Sequence, residues 1–244
     1  MKITSTRRAV LLAAATGAVL ISPWSAAGDP DDSQRNEDRG AGEEKDVGSV
    51  EDLMREHGVL RRILLVYQQC AIKLHAGNSV NLLALNRAAR LFRSFGEDYH
   101  QRTLEEAFIY PTLRKVRGPA SLYPDILTAQ HHRGRKITDY ILETTARPKL
   151  SGRRAATLAS TFDSFVLMYQ NHAAREDTLV LPAWKQALAE SDIDEIGDKF
   201  EDIEQQQFGK EGFDTTVEEV AAIENALGYG DLTQFTAPMP PSDG

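Results

Sequence analysis

The fold class is decided by the stretch LASTFDSFVLMYQNHAAREDTL, residues 158–179. Its inward positions are spaced alternately four and three residues apart, which places them on one face of an α-helix. That face is formed by Leu158, Phe162, Phe165, Tyr169, His172, Glu176 and Leu179. The stretch therefore predicts an amphipathic helix whose otherwise apolar face carries a histidine and a carboxylate.

Three further stretches show the same helical rhythm. The first begins at Ser49, the second runs from about residue 81 to 110, and the third begins near Pro124. No stretch shows the alternation that is typical of a strand. Four long amphipathic helices with short links predict an all-α fold, an antiparallel four-helix up-down bundle, over residues 49–188. We expect a C-terminal helical extension over residues 189–236.

Two short motifs have the form of helix N-terminal capping boxes. They are Ser49-Val50-Glu51-Asp52 and Thr216-Val217-Glu218-Glu219. The second predicts a helix in the extension, with Gly228 as its C-terminal cap. This helix either covers one side of the bundle or contributes to a homodimer contact, and the sequence leaves both open.

The N-terminal residues predict an export signal. Arg7 and Arg8 precede an uncharged run over residues 9–21, and small residues before Gly28 suit a cleavage site. The paired arginines resemble a twin-arginine signal, and the apolar run is too short to span a bilayer. We expect a signal peptide over residues 1–27, export by the twin-arginine machinery, a periplasmic or extracellular location and no stable membrane anchor.

Composition excludes several classes of function. The 244 residues include 36 acidic and 28 basic side chains, a formal net charge of −8, which argues against nucleic-acid binding. The single cysteine, Cys70, excludes intrachain disulfides and cysteine-rich metal sites. Residues 28–48 and 237–244 offer little to bury, so we expect a disordered linker and a disordered tail.

Polar residues interrupt the apolar face of every predicted helix. Each helix places one histidine on this face. Glu176 follows His172 by four residues, whereas Glu105 follows His100 by five and has Glu106 beside it. Burying such groups is costly unless they are paired or bind a metal, and helix bundles often assemble dinuclear metal sites from them. His75, near a helix end, and His132, on a polar face, are not expected to take part. The four inward histidines are His57, His100, His131 and His172.

These motifs together resemble the hemerythrin-like HHE cation-binding domain over about residues 50–188. The residues that carry the resemblance are Glu56-His57, Tyr99-His100, Glu105-Glu106, Tyr110-Pro111, Gln130-His131, Gly134-Arg135, and His172 through Glu176-Asp177 to Pro182. Residues 200–235 also look like the tail of exported members.

The resemblance implies a four-helix bundle around two non-haem iron ions, a centre of the Fe-O-Fe type, with iron preferred to manganese or zinc. Such a centre binds dioxygen or a related small ligand. By this likeness His57, His100, His131 and His172 are terminal ligands, and Glu105 and Glu176 bridge the two ions.

The chain departs from the family pattern at two places. Oxygen-carrying hemerythrins have a second histidine where this chain has Arg135, which argues against simple reversible oxygen carriage. One residue is also extra between His100 and the first carboxylate. We predict that the helix absorbs it as a one-residue π-bulge; whether Glu105 or Glu106 is the ligand stays open.

Three classes of function follow from these features. The ligand set favours a diiron protein that binds, stores or senses dioxygen or a related ligand over an enzyme. The alternative is a diiron enzyme acting on peroxide or nitric oxide, with Tyr67, Tyr99 and Tyr169 as candidate electron or proton donors. A metal-free helical interaction module is the third class, and the cost of burying the ligand set argues against it.

Overall fold

The computed structural model describes residues 48–209 and 212–241, and this part of the chain contains helices but no strand. The predicted all-α class is therefore confirmed. In chain order the α-helices are α1 (Ser49–His75), α2 (Leu82–Leu91), α3 (Tyr110–Leu113), α4 (Tyr123–Thr145), α5 (Gly152–Arg175), α6 (Leu181–Gln186), α7 (Glu190–Phe208) and α8 (Gly212–Leu227). Two π-helical stretches are Phe92–Ile109 and Glu176–Val180, and two 3₁₀ turns are Pro119–Leu122 and Leu232–Phe235.

Four helical segments surround the six side chains that the sequence predicts as metal ligands. The first is α1 and the third is α4. The second runs without a break through α2, the π-helix Phe92–Ile109 and α3, and the fourth runs through α5, the π-helix Glu176–Val180 and α6. Helix α1 packs along α5, and α4 packs against both α5 and the second segment.

Aromatic side chains fill the core between α1, the second segment and α5. Tyr67 stacks on Phe162 with ring centroids 4.6 Å apart, and Phe165 meets Phe92 edge-on at 5.1 Å. All four are buried, as the apolar stripes predict. Each aromatic side chain removes a large area from water, so this cluster is a major source of the fold's stability.

The inward stripe of the fourth segment changes register after Glu176. Leu179, which was expected on the buried face, is 45% exposed, whereas its neighbour Val180 is fully buried. The π-helical turn from Glu176 to Val180 accounts for the difference. It adds a residue to the turn, and the following side chain then takes the inward place. The assignment of Leu179 to the stripe is therefore wrong by one position.

The C-terminal extension holds two helices where the sequence indicated one. Helix α7 packs against α1, and α8 packs against α1 and α2. Both predicted capping boxes are wrong: α1 begins after Gly48 without a side-chain cap, and α8 already begins at Gly212. A tertiary contact caps the start of α8 instead: the Glu204 carboxylate accepts a hydrogen bond from the Phe213 amide at 2.8 Å. Gly228 has φ +81° and ends α8, as predicted.

Several expectations concern residues outside the described ranges. The predicted signal peptide and all but the last residue of the predicted linker fall within residues 1–47, and the end of the predicted tail falls within residues 242–244. Among the described residues, no helix is both long enough and apolar enough to cross a bilayer.

Gly134 allows α4 and α5 to come into close contact. A Cβ atom at this position would lie 2.0 Å from the hydroxyl oxygen of Tyr169. The Tyr169 ring is buried and packs against Phe92 and Phe165, so moving it aside would disturb these contacts.

We expect Gly134→Ala to lower the free energy of unfolding by about 1–3 kcal/mol, since overpacking forces side chains off their preferred rotamers. Gly58→Ala is the control, because no heavy atom lies within 4 Å of its added Cβ. An alanine inside a helix should stabilise α1 by about 0.5–1 kcal/mol. Urea unfolding of both variants measures these changes, and a Gly134→Ala protein as stable as the wild type would contradict the packing account.

Candidate metal centre

The six residues that the sequence singled out as ligands lie together between the four segments. All six side chains are at least 97% buried. Their ligand atoms form two groups that share one carboxylate, and within each group these atoms lie within 4.8 Å of one another. The groups are His57, His100 and Glu105, and Glu105, His131, His172 and Glu176.

The two carboxylates stand between the histidines of both groups. Glu105 lies 3.3 Å from Nε2 of His100 through one oxygen and 3.4 Å from Nε2 of His131 through the other. Oε2 of Glu176 lies 3.0 Å from Nε2 of His172 and 3.4 Å from Nε2 of His57. Each carboxylate can therefore contact two cations at once, one beside each histidine pair.

Several of these buried atoms have no hydrogen-bond partner among the described residues. They are Nε2 of His100, both carboxylate oxygens of Glu105 and Oε2 of Glu176. Leaving buried polar atoms unpaired is unfavourable, and a set of imidazole and carboxylate donors is one that suits divalent transition metals. The residues present thus fit a pair of metal cations.

A π-helix brings His100 and Glu105 to the same side of the second segment. In an α-helix, residues five apart point about 140° away from each other. Here the Tyr110 amide donates to the carbonyl of Glu105, five residues back, and the Thr103 hydroxyl donates to Asp98 at the same separation. The predicted departure from the α-helix is confirmed, but it spans Phe92–Ile109 and not one residue.

A proline follows each π-helical stretch. Tyr110 donates its amide to Glu105 just before Pro111, and Leu181 donates its amide to Glu176 just before Pro182. Proline has no amide hydrogen, and inside an α-helix its ring clashes with the carbonyl four residues earlier. A π-helical hydrogen bond, which joins the amide before the proline to the carbonyl five residues earlier, is compatible with both constraints. A glutamate with a proline six residues later is therefore a sequence signal for this geometry.

The outer nitrogen of each histidine donates a hydrogen bond to a residue on another segment. Nδ1 of His57 donates to Asp177 at 2.6 Å, and Nδ1 of His100 donates to Glu56 at 2.6 Å. The other two donate to Glu106 at 2.8 Å and to Gln130 at 2.9 Å, from His131 and His172 respectively. Such bonds fix the tautomer and leave Nε2 of every ring facing the centre.

These bonds also separate the roles of Glu105 and Glu106. The Glu105 side chain faces the histidines, whereas Glu106 lies outside His131 and accepts its Nδ1 proton. Arg135 donates to Glu106 as well. The arginine at the position where oxygen carriers have a histidine therefore supports a ligand from behind and does not face the centre.

A family model for the hemerythrin HHE cation-binding domain matches residues 48–184. The chain belongs to the hemerythrin HHE cation-binding family. Two similar proteins, both described as uncharacterised, come from Mycobacterium bovis and Mycobacterium tuberculosis. Each is 39% identical over 225 residues, which cover 92% of this chain and 87% of the relative. No solved structure matches the chain. Family membership and the two ligand groups together indicate a protein that binds metal cations.

Sequence reasoning missed one residue that touches the HHE centre directly. The Tyr110 hydroxyl donates to Oε1 of Glu176 at 2.6 Å and lies 3.3 Å from Nε2 of His131. Burial raises the pKa of this phenol well above its usual value. From the sequence, Tyr110 was identified only as part of the Tyr110-Pro111 motif and was given no role at the centre. The two histidines expected to stand apart do so, since His75 and His132 are exposed.

Two histidines of the HHE centre, His57 and His100, have raised pKa values and hold their protons more strongly than usual. Burial lowers the pKa of His57, but the hydrogen bond with Asp177 and the negative charge of Glu176 outweigh it, and the pKa lies above its usual value. Burial likewise opposes ionisation of His100, yet Glu105 and Glu56 raise its pKa well above that value. A metal ion needs the neutral imidazole, so cation binding displaces these protons and weakens as the pH falls.

The hydrogen bonds behind the histidines predict a specific loss of metal affinity. Asp177→Ala removes the acceptor from His57, and we expect the metal affinity to fall about 10–100-fold. Asp163→Ala is a matched control, because Asp163 also bonds a histidine, His75, at 2.8 Å, but on the surface. Competition titration with a chelator measures both affinities, and equal losses in the two variants would sink the assigned role.

Proposed function

We propose that the chain is a non-haem diiron protein that binds, stores or senses dioxygen or a related small ligand. The observation that carries the proposal is the pair of carboxylates, Glu105 and Glu176, shared between two pairs of buried histidines. In this proposal the four segments form an antiparallel up-down bundle, and each pair of histidines holds one iron ion.

The donor set supports iron as the bound metal. Four imidazoles and two carboxylates lie at the centre, and among the described residues no thiolate joins them, which argues against soft-metal chemistry. Bound iron supplies reversible redox chemistry and open positions for small ligands. The protein supplies the rest by shielding the site and holding the imidazoles in one tautomer.

A small cavity supports binding of a small ligand. It measures about 10 Å³, room for one water-sized molecule, and it reaches His57, His100, Glu105, His172 and Glu176. Its apolar wall is formed by Leu60, Leu64, Phe92 and Ala173 together with the Tyr169 ring. Because this cavity lies among the ligand atoms, its apolar wall would shield the centre from bulk water.

The second candidate function is an enzyme acting on peroxide or nitric oxide at the same centre. The observation that favours it is the Tyr110 hydroxyl, which is buried beside Glu176 and His131. A phenol in this position can donate a proton to a small ligand in the centre. Arg135 also stands where an oxygen carrier has a histidine, so one histidine fewer would be available to hold iron.

The proposal predicts two iron ions in each chain of native protein and an optical spectrum that changes reversibly with oxygen. Glu105→Ala should lose both ions, because its carboxylate serves both histidine pairs. Glu106→Ala is the matched comparison one residue away. It should retain two ions with about 10–100-fold weaker affinity, since it removes only a bond behind His131. Metal analysis with spectroscopy under and without oxygen measures these results.

Three outcomes decide between the candidates. Full stability without any metal would contradict metal binding altogether. Two iron ions with reversible oxygen-dependent spectra favour the binding protein. Sustained turnover of peroxide that is lost in Tyr110→Phe, with both iron ions retained, favours the enzyme.

We propose that residues 1–27 direct export of the folded protein by the twin-arginine machinery to a periplasmic or extracellular location. The support is the Arg7-Arg8 pair before a short uncharged run. Copper and zinc outcompete ferrous iron for such ligands, so folding around iron before export would settle the metal first. We expect exported protein to begin at Gly28 and replacement of both arginines by lysine to abolish its export. Mass spectrometry of exported protein tests both, and unchanged export would rule this route out.

A further inference from the structure

A chain of buried polar side chains links the C-terminal extension to the metal centre. Glu204 in α7 lies with Oε2 3.4 Å from the Tyr99 hydroxyl. The same hydroxyl donates to Oε1 of Glu56 at 2.9 Å, and Oε2 of Glu56 accepts the Nδ1 proton of His100 at 2.6 Å. Glu204 is only 3% exposed and lies beyond residues 48–184, the part that matches the family.

Both helices of the extension hold Glu204 in this place. Its other oxygen, Oε1, accepts the Phe213 amide at the start of α8. A Cβ on Gly212 would lie 2.7 Å from this oxygen, so the backbone approaches closely. Phe208, four residues after Glu204, packs edge-on against the Tyr99 ring with centroids 5.3 Å apart. The carboxylate and the phenol are therefore fixed relative to each other.

The Tyr99 hydroxyl has one proton, and the carboxylates of Glu56 and Glu204 both lie within its reach. When it donates to Glu56, it neutralises part of the charge that attracts the Nδ1 proton of His100. When the Tyr99 hydroxyl donates to Glu204 instead, Glu56 keeps more of its negative charge and accepts a stronger hydrogen bond from Nδ1 of His100. A stronger acceptor behind an imidazole makes its other nitrogen a better metal ligand.

We propose that Glu204 is a positioning residue of the metal centre, which strengthens the bond between His100 and its metal ion by competing with Glu56 for the Tyr99 hydroxyl. The inference rests on the proposed metal-binding function. It assigns to the extension a part in tuning the centre, beyond covering the helices on which it packs.

The test uses the full-length protein loaded with Co²⁺, whose visible absorption reports its ligands. Glu204→Gln keeps the shape and an acceptor for Phe213 but removes the charge. We expect Co²⁺ release to a chelator to become about three- to tenfold faster, less than for a residue that bonds the histidine itself. The Co²⁺ absorption band should shift as well.

Tyr99→Phe separates tuning from loss of packing. It removes the donor that weakens Glu56, so we expect Co²⁺ release no faster than in the wild type even if the melting temperature falls. In the Tyr99→Phe background Glu204→Gln should have no further effect on release. Faster release from Tyr99→Phe alone, or an undiminished effect of Glu204→Gln in that background, would overturn the proposal.

Glu224→Gln is the matched control in the same extension. Glu224 in α8 pairs with Arg62 of α1 at 2.5 Å, away from the centre, so the variant loosens the extension without touching the chain of hydrogen bonds. Release should match that of the wild type. Wild-type release and spectrum in Glu204→Gln would overturn this inference alone, whereas a wild type that binds no Co²⁺ would overturn it together with the proposed function.

Discussion

The cost of burying Glu105 and Glu176 between the four segments is the constraint on which the rest of the structure depends. Both side chains are at least 99% buried, and three of their four oxygens lack a hydrogen-bond partner among the described residues. Burying charges in this way is unfavourable unless cations compensate. The histidines, Arg135 outside them and the proposed metal ions all contribute positive charge that compensates this cost.

The hydrogen bonds behind the histidines form a closed ring around this centre. Glu56 links the first segment to the second, and Glu106 links the second to the third. Gln130 links the third to the fourth, and Asp177 links the fourth back to the first. Each pair of consecutive segments is thus joined by one of these bonds. Each bond orients one imidazole ring and links it to a neighbouring segment.

The helical rhythm of the sequence was sufficient to predict the all-α class and to bring attention to the six residues that meet at the centre. It could not predict the supporting bonds, because each joins residues on different segments and only the packing decides which neighbours meet. Helix α7 was missed for a related reason: it buries only Phe200 and Glu204, too few residues to make a stripe. The prediction that Leu179 faces inward was wrong because the π-helical turn adds one residue, which a constant helical period does not take into account.

Each supporting residue is the immediate sequence neighbour of a proposed ligand, in the pairs Glu56-His57, Glu105-Glu106, Gln130-His131 and Glu176-Asp177. Neighbours on a helix point about 100° apart, so one member faces the centre while the other serves the next helix. Each pair therefore acts as one structural unit. A designer who transplants only the ligands into a new helical scaffold would leave their orientation undefined. All four intact dipeptides would have to be transferred, on helices close enough to form the four hydrogen bonds.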